Sequence, residues 1–492
     1  MPPSPELLLG LDVGSTSARA LVVDLEGRVH GKALVRLPSS HPAPGRVEQD
    51  PREVWKRVRE TIVRSLAEAN VAGSDLAAVG IAAQRSSVVL WDPGTGEPLG
   101  PMILWSDLRG SERAEELQAQ GYLAPAIAAV SKLEAAIDGL EDGRKRMADG
   151  RLAWGTLDSF LVHRLSGGEL HVTDHSNAWS TCYLDLSTMR DWNEKLIGFQ
   201  GLSASIFPTL CDTWGPLGRT APAVLGSEVP IGAIVADQQS GMFAHGALGP
   251  GCWKTTWGTS GTLMVSTGTT PALAPGLMPM LLASHGDETR FAVEGMVISA
   301  GALLDWLVRD LALFDSVDAL TAAAASVSGN GGVVICPALQ GLGAPYNDSA
   351  RQAAIMGLSA ASTRAQIARA AFESLAFRLR EIIEAAASIE TIELPETLPV
   401  DGGLAANDLF LQTQADLLAR PVVRHTQLEA TALGACIAAA MGVGLATLEE
   451  LEPLTRTGEC FEPRIDRAEA DDRFGDWRNR LEASAEANPG AA

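Results

Sequence analysis

This chain runs through one order of strands and helices twice, and each time a turn of glycine and hydroxyl residues separates the first two strands. LLLGLDVG, ARALVVDL and RVHGKALVRL read as three consecutive strands, PREVWKRVRETIVRSLAEAN as a helix and LAAVGIAAQ as a further strand. Asp50 followed by Pro51 is a helix-start pair. Near residue 250 the series restarts with the strands GCWKTTWG, TLMVSTG and RFAVEGMV and the helix AGALLDWLVRDLA. A strand at TLPVDGG and a helix at NDLFLQTQADLLA complete it, and Ile367, Ala371, Leu375, Leu379 and Ile382 fall on one face of a long helix between. Such alternation implies α/β domains whose helices cover both faces of a sheet.

At 492 residues the chain exceeds the ~250 to 300 that one core sustains, so two domains are expected, 1–246 and 247–492, crossing near GALGPG and facing each other across a cleft. With 60 acidic against 38 basic residues the net charge is −22, which repels nucleic-acid backbones and anionic membranes and removes both as expected partners. The six cysteines are scattered without a CxxC or metal-type spacing, which fits a reducing, cytoplasmic setting. MPPSPE does not resemble a signal peptide. TALGACIAAAMGVGLATL, at 431–448, owes its apolarity to Ala and Gly and reads as a closely packed internal helix rather than a membrane span. The ends, before Glu6 and after about residue 483, are expected to fray.

Singly, GSTS at 14–17 and GTSGT at 258–262 are ordinary hairpin turns. Together they could offer backbone N–H groups and hydroxyls to a polyphosphate. Neither is a P-loop, and GLDVGS lacks dinucleotide-fold spacing. Asp12, ending the first strand beside one turn, is a candidate Mg²⁺ carboxylate or a cap of its own turn. DGGLAAND, at 401–408, passes from strand to helix through two glycines, where adenine or ribose could lie close against backbone.

The ordered set DVGSTSAR, AAQR, DQQS, WGTSGT, PALQGLGAPYND and VDGGLAAND resembles the FGGY carbohydrate kinases of the actin-like ATPase superfamily, the glycerol kinase branch above all. GTLDSFLVHRLSGGELHVTDHSNAWST and AAIMGLSAASTRAQIARAAFE extend the resemblance, which covers about residues 7 to 465. It implies two actin-like (ribonuclease H-like) domains with mixed sheets flanked by helices, a hinge that closes them on the cleft, and use of ATP and Mg²⁺. By the same resemblance Asp237 is the catalytic base and acceptor contact, with Arg85, Ser86, Trp105, Ile127 and Gln238 as further acceptor contacts. Ser15, Thr16, Ser17, Arg19, Thr259, Gly301, Asp305, Gly403 and Asn407 correspond to nucleotide-contacting positions, and Asp12 to the metal carboxylate. A carboxylate is a weak base for an alcohol, yet a loose phosphoryl-transfer transition state asks for little deprotonation and gains most from positioning.

Two departures bear on the substrate. Glycerol kinases usually carry glutamate where this chain has Ser86, and a tyrosine where the nearest counterpart is Ile127. The stretch between Arg109 and Lys132 also looks shorter than in relatives, by roughly ten residues. A pocket that loses hydrogen-bond partners loses selectivity, since an unpaired buried polar group costs about 1 to 3 kcal/mol. The expected acceptor is a small polyol or sugar, glycerol first and a ketopentose such as xylulose or ribulose second. A chaperone-like or filament-like actin relative that only hydrolyses ATP is a further alternative, as is a degenerate kinase acting as a sensor. The resemblance also implies a homodimer or homotetramer.

Overall fold

A computed structural model describes residues 6–486. The chain divides into two units. The first holds the described residues through Gly246, then Met280–Thr289 and Thr431–Thr455; the second holds Ala247–Pro279, Arg290–Ala430 and the described residues from Arg456. The chain thus crosses from the first unit after Gly246 and returns to it twice.

The first unit is built on a six-stranded sheet. Its strands are β1 (Leu7–Val13), β2 (Ser17–Asp24), β3 (Val29–Arg36), β4 (Leu76–Ala83), β5 (Trp214–Arg219) and β6 (Pro230–Ala236), ordered β5-β6-β4-β1-β2-β3. β1, β4 and β6 run parallel, while β2, β3 and β5 are antiparallel to their neighbours. Every residue of β1 is buried, as its unbroken apolar run requires of a strand covered on both faces. Helix α1 (Pro51–Ala69) starts where the sequence marks it: the Asp50 side chain accepts from Arg52 N at 2.9 Å, and Pro51 fills the first turn. Its Val54, Val58 and Ile62 join Leu9, Leu11, Val22 and Ile81 in the core. Two shorter helices, α2 (His175–Ser180) and α3 (Asp237–Ala244), matter below.

The second unit repeats the plan. Its strands β7 (Trp253–Trp257) and β8 (Gly261–Gly268) are followed by β9 (Met278–His285), most of which is counted with the first unit. Then come β10 (Glu288–Val297), β11 (Leu398–Asp401), β12 (Val422–His425) and β13 (Thr457–Phe461). The order β10-β8-β7-β11-β12-β13 matches β3-β2-β1-β4-β6-β5 strand for strand, with the same pattern of parallel and antiparallel pairs. Helices α4 (Gly301–Arg309), α5 (Val317–Ala325), α6 (Arg364–Ala386) and α7 (Asp408–Leu418) cover this sheet around a core that includes Leu304, Leu375, Leu379 and Phe410.

The Ala- and Gly-rich stretch forms α8 (Ala430–Gly442), buried from Ala432 to Ala440 in the first unit. No helix among the described residues is long and apolar enough to cross a membrane. A Cβ on Gly10, Gly80 or Gly232 would fall 2.0, 1.9 and 2.4 Å from the carbonyl oxygens of Ala432, Ala435 and Ala439, so the helix backbone lies directly on β1, β4 and the start of β6. The last helix, α9 (Arg467–Glu486), continues past residue 483. The rest of the expected fraying, at both ends, lies outside the described residues.

Candidate active site

In the first unit the three parallel strands end level. Val13, Ala83 and Ala236 are register partners, so the residues that follow them emerge side by side at one edge, where ligands of open α/β sheets bind. After β1 comes the three-residue turn Gly14–Thr16, with Ser15 half-buried, Thr16 exposed and Ser17 already buried in β2. The turn's carbonyls are held from inside: Gln49 Nε2 donates to Ser15 O at 2.7 Å, Gln84 Nε2 to Gly14 O at 3.3 Å and Leu37 N to Thr16 O at 2.9 Å. Asp12, one residue from the end of β1, is register partner to Arg19 and accepts from its Nη1 at 3.0 Å. Arg19, expected at the nucleotide, therefore has an ion pair with the expected metal carboxylate.

Two residues past β4 comes Arg85, and directly after β6 comes Asp237, the first residue of α3. Arg85 Nε lies 3.6 Å from Asp237 Oδ1, and both side chains are mostly buried. Arg85 Nη1 also reaches Met280 Sδ at 3.9 Å. Asp237 Oδ1 accepts from Gln238 N at 2.7 Å, and half-buried Gln238 follows in the first helical turn. The helix itself is locked in place. Ser240 Oγ donates to Thr431 O at 2.7 Å, and a Cβ on Gly434 would meet Ser240 O at 1.8 Å, so α3 crosses α8 backbone to backbone.

Ser86 adopts a left-handed φ of 60°, and its hydroxyl donates to Ser180 O, the last residue of α2, at 2.5 Å. Trp105 is half-buried, with its N–H donating to Ser87 Oγ at 3.1 Å, and Ile127 is exposed. A buried cation joins these segments. The Lys132 ammonium donates to Leu104 O at 2.9 Å, Trp105 O at 3.0 Å and Ile127 O at 2.9 Å. Burial pushes its pKa down to about 7, with Asp107 opposing the shift and Arg109 reinforcing it. Sequence reasoning used Lys132 only as a landmark. The available signal was a lone cation inside the apolar run AIAAVSKLEAAI.

The second unit repeats the geometry with different chemistry. β7 and β11 are parallel, with Thr256 and Asp401 as their last register pair; Gly258–Ser260 follows the end of β7 at Trp257, and Gly402–Gly403 follows β11. Thr259 and Gly403 are exposed. Gly402 has φ 89°, and a Cβ there would lie 2.5 Å from Trp257 O; one on Gly301, which opens α4, would lie 2.6 Å from Gly258 O. Gly301 N donates to Gly258 O, and Ala300 N and Ala302 N to Thr259 O, all at 3.1 Å. The start of α4 thus holds the turn through its own carbonyls.

Two expected nucleotide contacts have structural engagements. Asn407 is the cap of α7 rather than part of its first turn: Oδ1 accepts from Phe410 N at 3.1 Å, while Nδ2 donates to Thr321 Oγ1 at 2.8 Å. Asp305 pairs with Arg309 at 3.7 Å, one turn along α4 from Gly301.

Comparison with known proteins places these features in context. The profile of the FGGY family of carbohydrate kinases, N-terminal domain, matches residues 7–244, and that of the C-terminal domain matches residues 254–443. A glycerol kinase of Aromatoleum aromaticum is 40% identical over 490 residues, covering 96% of this chain and 98% of that protein. One of Dechloromonas aromatica is 37% identical, with 98% of each chain covered. Among solved structures, Plasmodium falciparum glycerol kinase with ADP matches with a TM-score of 0.87 at 25% identity, over 97% of this chain and 98% of that one. A ligand-bound xylulose kinase from Lactobacillus acidophilus, at 20% identity and 99% coverage of both chains, shares the fold with a TM-score of 0.82.

Proposed function

The chain belongs to the FGGY family of carbohydrate kinases and is an ATP-dependent kinase, and from that premise we propose that it transfers the γ-phosphoryl group of ATP to a hydroxyl of a small polyol, glycerol first, with Asp237 as the base. The observation that carries this reading is the level ending of β1, β4 and β6, which brings Arg85 within 3.6 Å of Asp237 beside the Gly14–Thr16 turn.

Asp237 takes the acceptor proton as that oxygen bonds to the γ-phosphorus and the bond to the ADP oxygen breaks. Arg85 and Gln238 hold the acceptor's remaining oxygens, with Trp105 and Ile127 as its apolar boundary. The Ser15 and Thr16 hydroxyls and Ser17 serve the phosphates. In the second unit the exposed Thr259 hydroxyl and the backbone at Gly301 and Gly403 are the nucleotide-contacting positions. Asn407 and Asp305 shape that region through the contacts described above.

Mg²⁺ fits the residues present. Among the described residues no cluster of three or more His, Cys, Asp or Glu side chains is disposed to hold a metal ion. Mg²⁺ on a nucleotide needs no such cage, being held by one or two carboxylates, phosphate oxygens and water. Asp12 would supply the carboxylate, and the ion would neutralise phosphate charge.

A ketopentose acceptor is the second reading. Ser86 favours it, because its hydroxyl is already bonded to Ser180 O and offers little to a bound triol. The test is an ADP-release screen over glycerol, tetritols, pentitols and ketopentoses, for the native chain and Asp237→Asn. Acceptor-stimulated release that collapses in the variant supports the assignment. Undiminished turnover in the variant removes the base, and ATP hydrolysis indifferent to every acceptor removes the kinase reading.

A further inference from the structure

We propose that Lys132 is a positioning residue that sets the width of the acceptor pocket by tying its two apolar wall segments, at Trp105 and Ile127, to one buried ammonium. This rests on the reading that Ser86, Trp105 and Ile127 bound the acceptor.

The geometry is specific. Lys132 has no exposed surface, and its ammonium has three N–H donors and no acceptor capacity. Each donor has one carbonyl, two from Leu104 and Trp105 on one segment and one from Ile127 on another, all within 3.0 Å. Both segments are also anchored near the strand ends. Trp105 N donates to Ser87 Oγ, two residues beyond Arg85, and Val130 N donates to Thr181 O, one residue beyond the carbonyl that receives Ser86. No other side chain described here joins the 104–105 carbonyls to the 127 carbonyl. Without the ammonium the segments keep their own anchors and the shared core that joins Ile103 to Ala128–Val130, but lose the side-chain tie at the 104–105 and 127 carbonyls, which lets the wall widen at Trp105 and Ile127.

Lys132 has no exposed surface and its ammonium donates to carbonyls, so it can act on a ligand only through the wall it ties, and its effect should be confined to acceptor recognition. In Lys132→Met, which keeps the stem and removes the donors, the acceptor KM should rise about tenfold or more, while kcat at saturating acceptor stays within about threefold and the ATP KM within about twofold. Preference should also shift from glycerol towards longer polyols as the walls separate. A residue that merely stabilises the fold would lower melting temperature and active fraction, leaving both KM values and the preference order unchanged; that result overturns the proposal. If Lys132→Met does not fold, Ser87→Ala removes the separate anchor of Trp105 and decides the matter: a raised acceptor KM with an unchanged ATP KM supports the positioned wall, and unchanged KM values for both reject it. A native chain that phosphorylates no polyol or ketopentose refutes the functional reading instead, so the two failures are distinct.

Discussion

The two units share one strand order and equal three-residue turns, yet they end their parallel strands in opposite chemistry. In the first, the positions beyond β4 and β6 carry side chains that bond and ionise, Arg85 and Asp237, with Asp12 paired to Arg19 beside them. In the second, β11, the counterpart of β4, is followed by Gly402 and Gly403, and β12, the counterpart of β6, by Thr426; both units follow their first strand with a glycine, Gly14 and Gly258, but only in the second does a further glycine, Gly301, approach that turn so closely that a methyl group would displace it. One architecture thus yields a charged pair beyond the parallel strands of one unit and close-packed glycines beyond those of the other. The proposed function puts acceptor chemistry at the charged pair and, apart from the phosphate turn at Gly14–Ser17, nucleotide contact at the glycines, and substitutions can break that division.

The largest effect should follow Asp237→Asn, which keeps the shape but removes the proposed base. Turnover should fall by roughly 10² to 10⁴ with little change in melting temperature. Next comes Gly301→Ala, whose Cβ would sit 2.6 Å from a backbone oxygen that cannot swing away. An overpacking cost of roughly 1 to 3 kcal/mol, falling on the turn, should raise the ATP KM about ten- to a hundredfold and spare the acceptor KM.

A smaller effect concerns a buried acid in the first unit. Asp158 is buried, and burial pushes its pKa up to about 7, against the hydrogen bonds of Thr156 and Thr173 and with Asp174 adding to the rise. Its folded pKa lies above the unfolded value of 3.8, so its contribution to stability is complete below about pH 3.8 and is lost as pH rises through about 7. Urea midpoints measured from pH 4 to 8 should therefore fall with pH in the native chain relative to Asp158→Asn. Parallel curves would contradict this. The smallest effect should be that of Gly14→Ala, where the nearest atom to a new Cβ is 3.8 Å away. Its stability should change by no more than about 0.5 kcal/mol, in contrast with Gly301→Ala.

Much of this was legible in the sequence because it is local. Turn residues, strand periodicity and the Asp50–Pro51 helix start announce themselves within a few positions, and Asp237 follows an apolar strand directly. The repeat was visible in its first strands. Its completion was not, because β5, β12 and β13 are recognisable as counterparts only through long-range pairing. β9 went unread since MPMLLASH lacks strict alternation, and the return of 431–455 to the first unit depends on glycines at 10, 80 and 232 meeting a helix about two hundred residues beyond the last of them and over four hundred beyond the first. The engagements of Ser86 with Ser180, Asn407 with Thr321 and Lys132 with three carbonyls are likewise tertiary. Residue type shows what these side chains can do, and only packing shows which partner they have.

The division of labour is tested most directly by titrating adenine nucleotide and glycerol separately into Gly403→Ala and Arg85→Met. Gly403 is exposed, with nothing within 4 Å of a new Cβ, so the substitution alters only what approaches that backbone. The expected pattern is crossed, with nucleotide affinity reduced and glycerol affinity retained in Gly403→Ala and the converse in Arg85→Met. Nucleotide affinity untouched in the first variant, or lost in the second while glycerol still binds, contradicts the account.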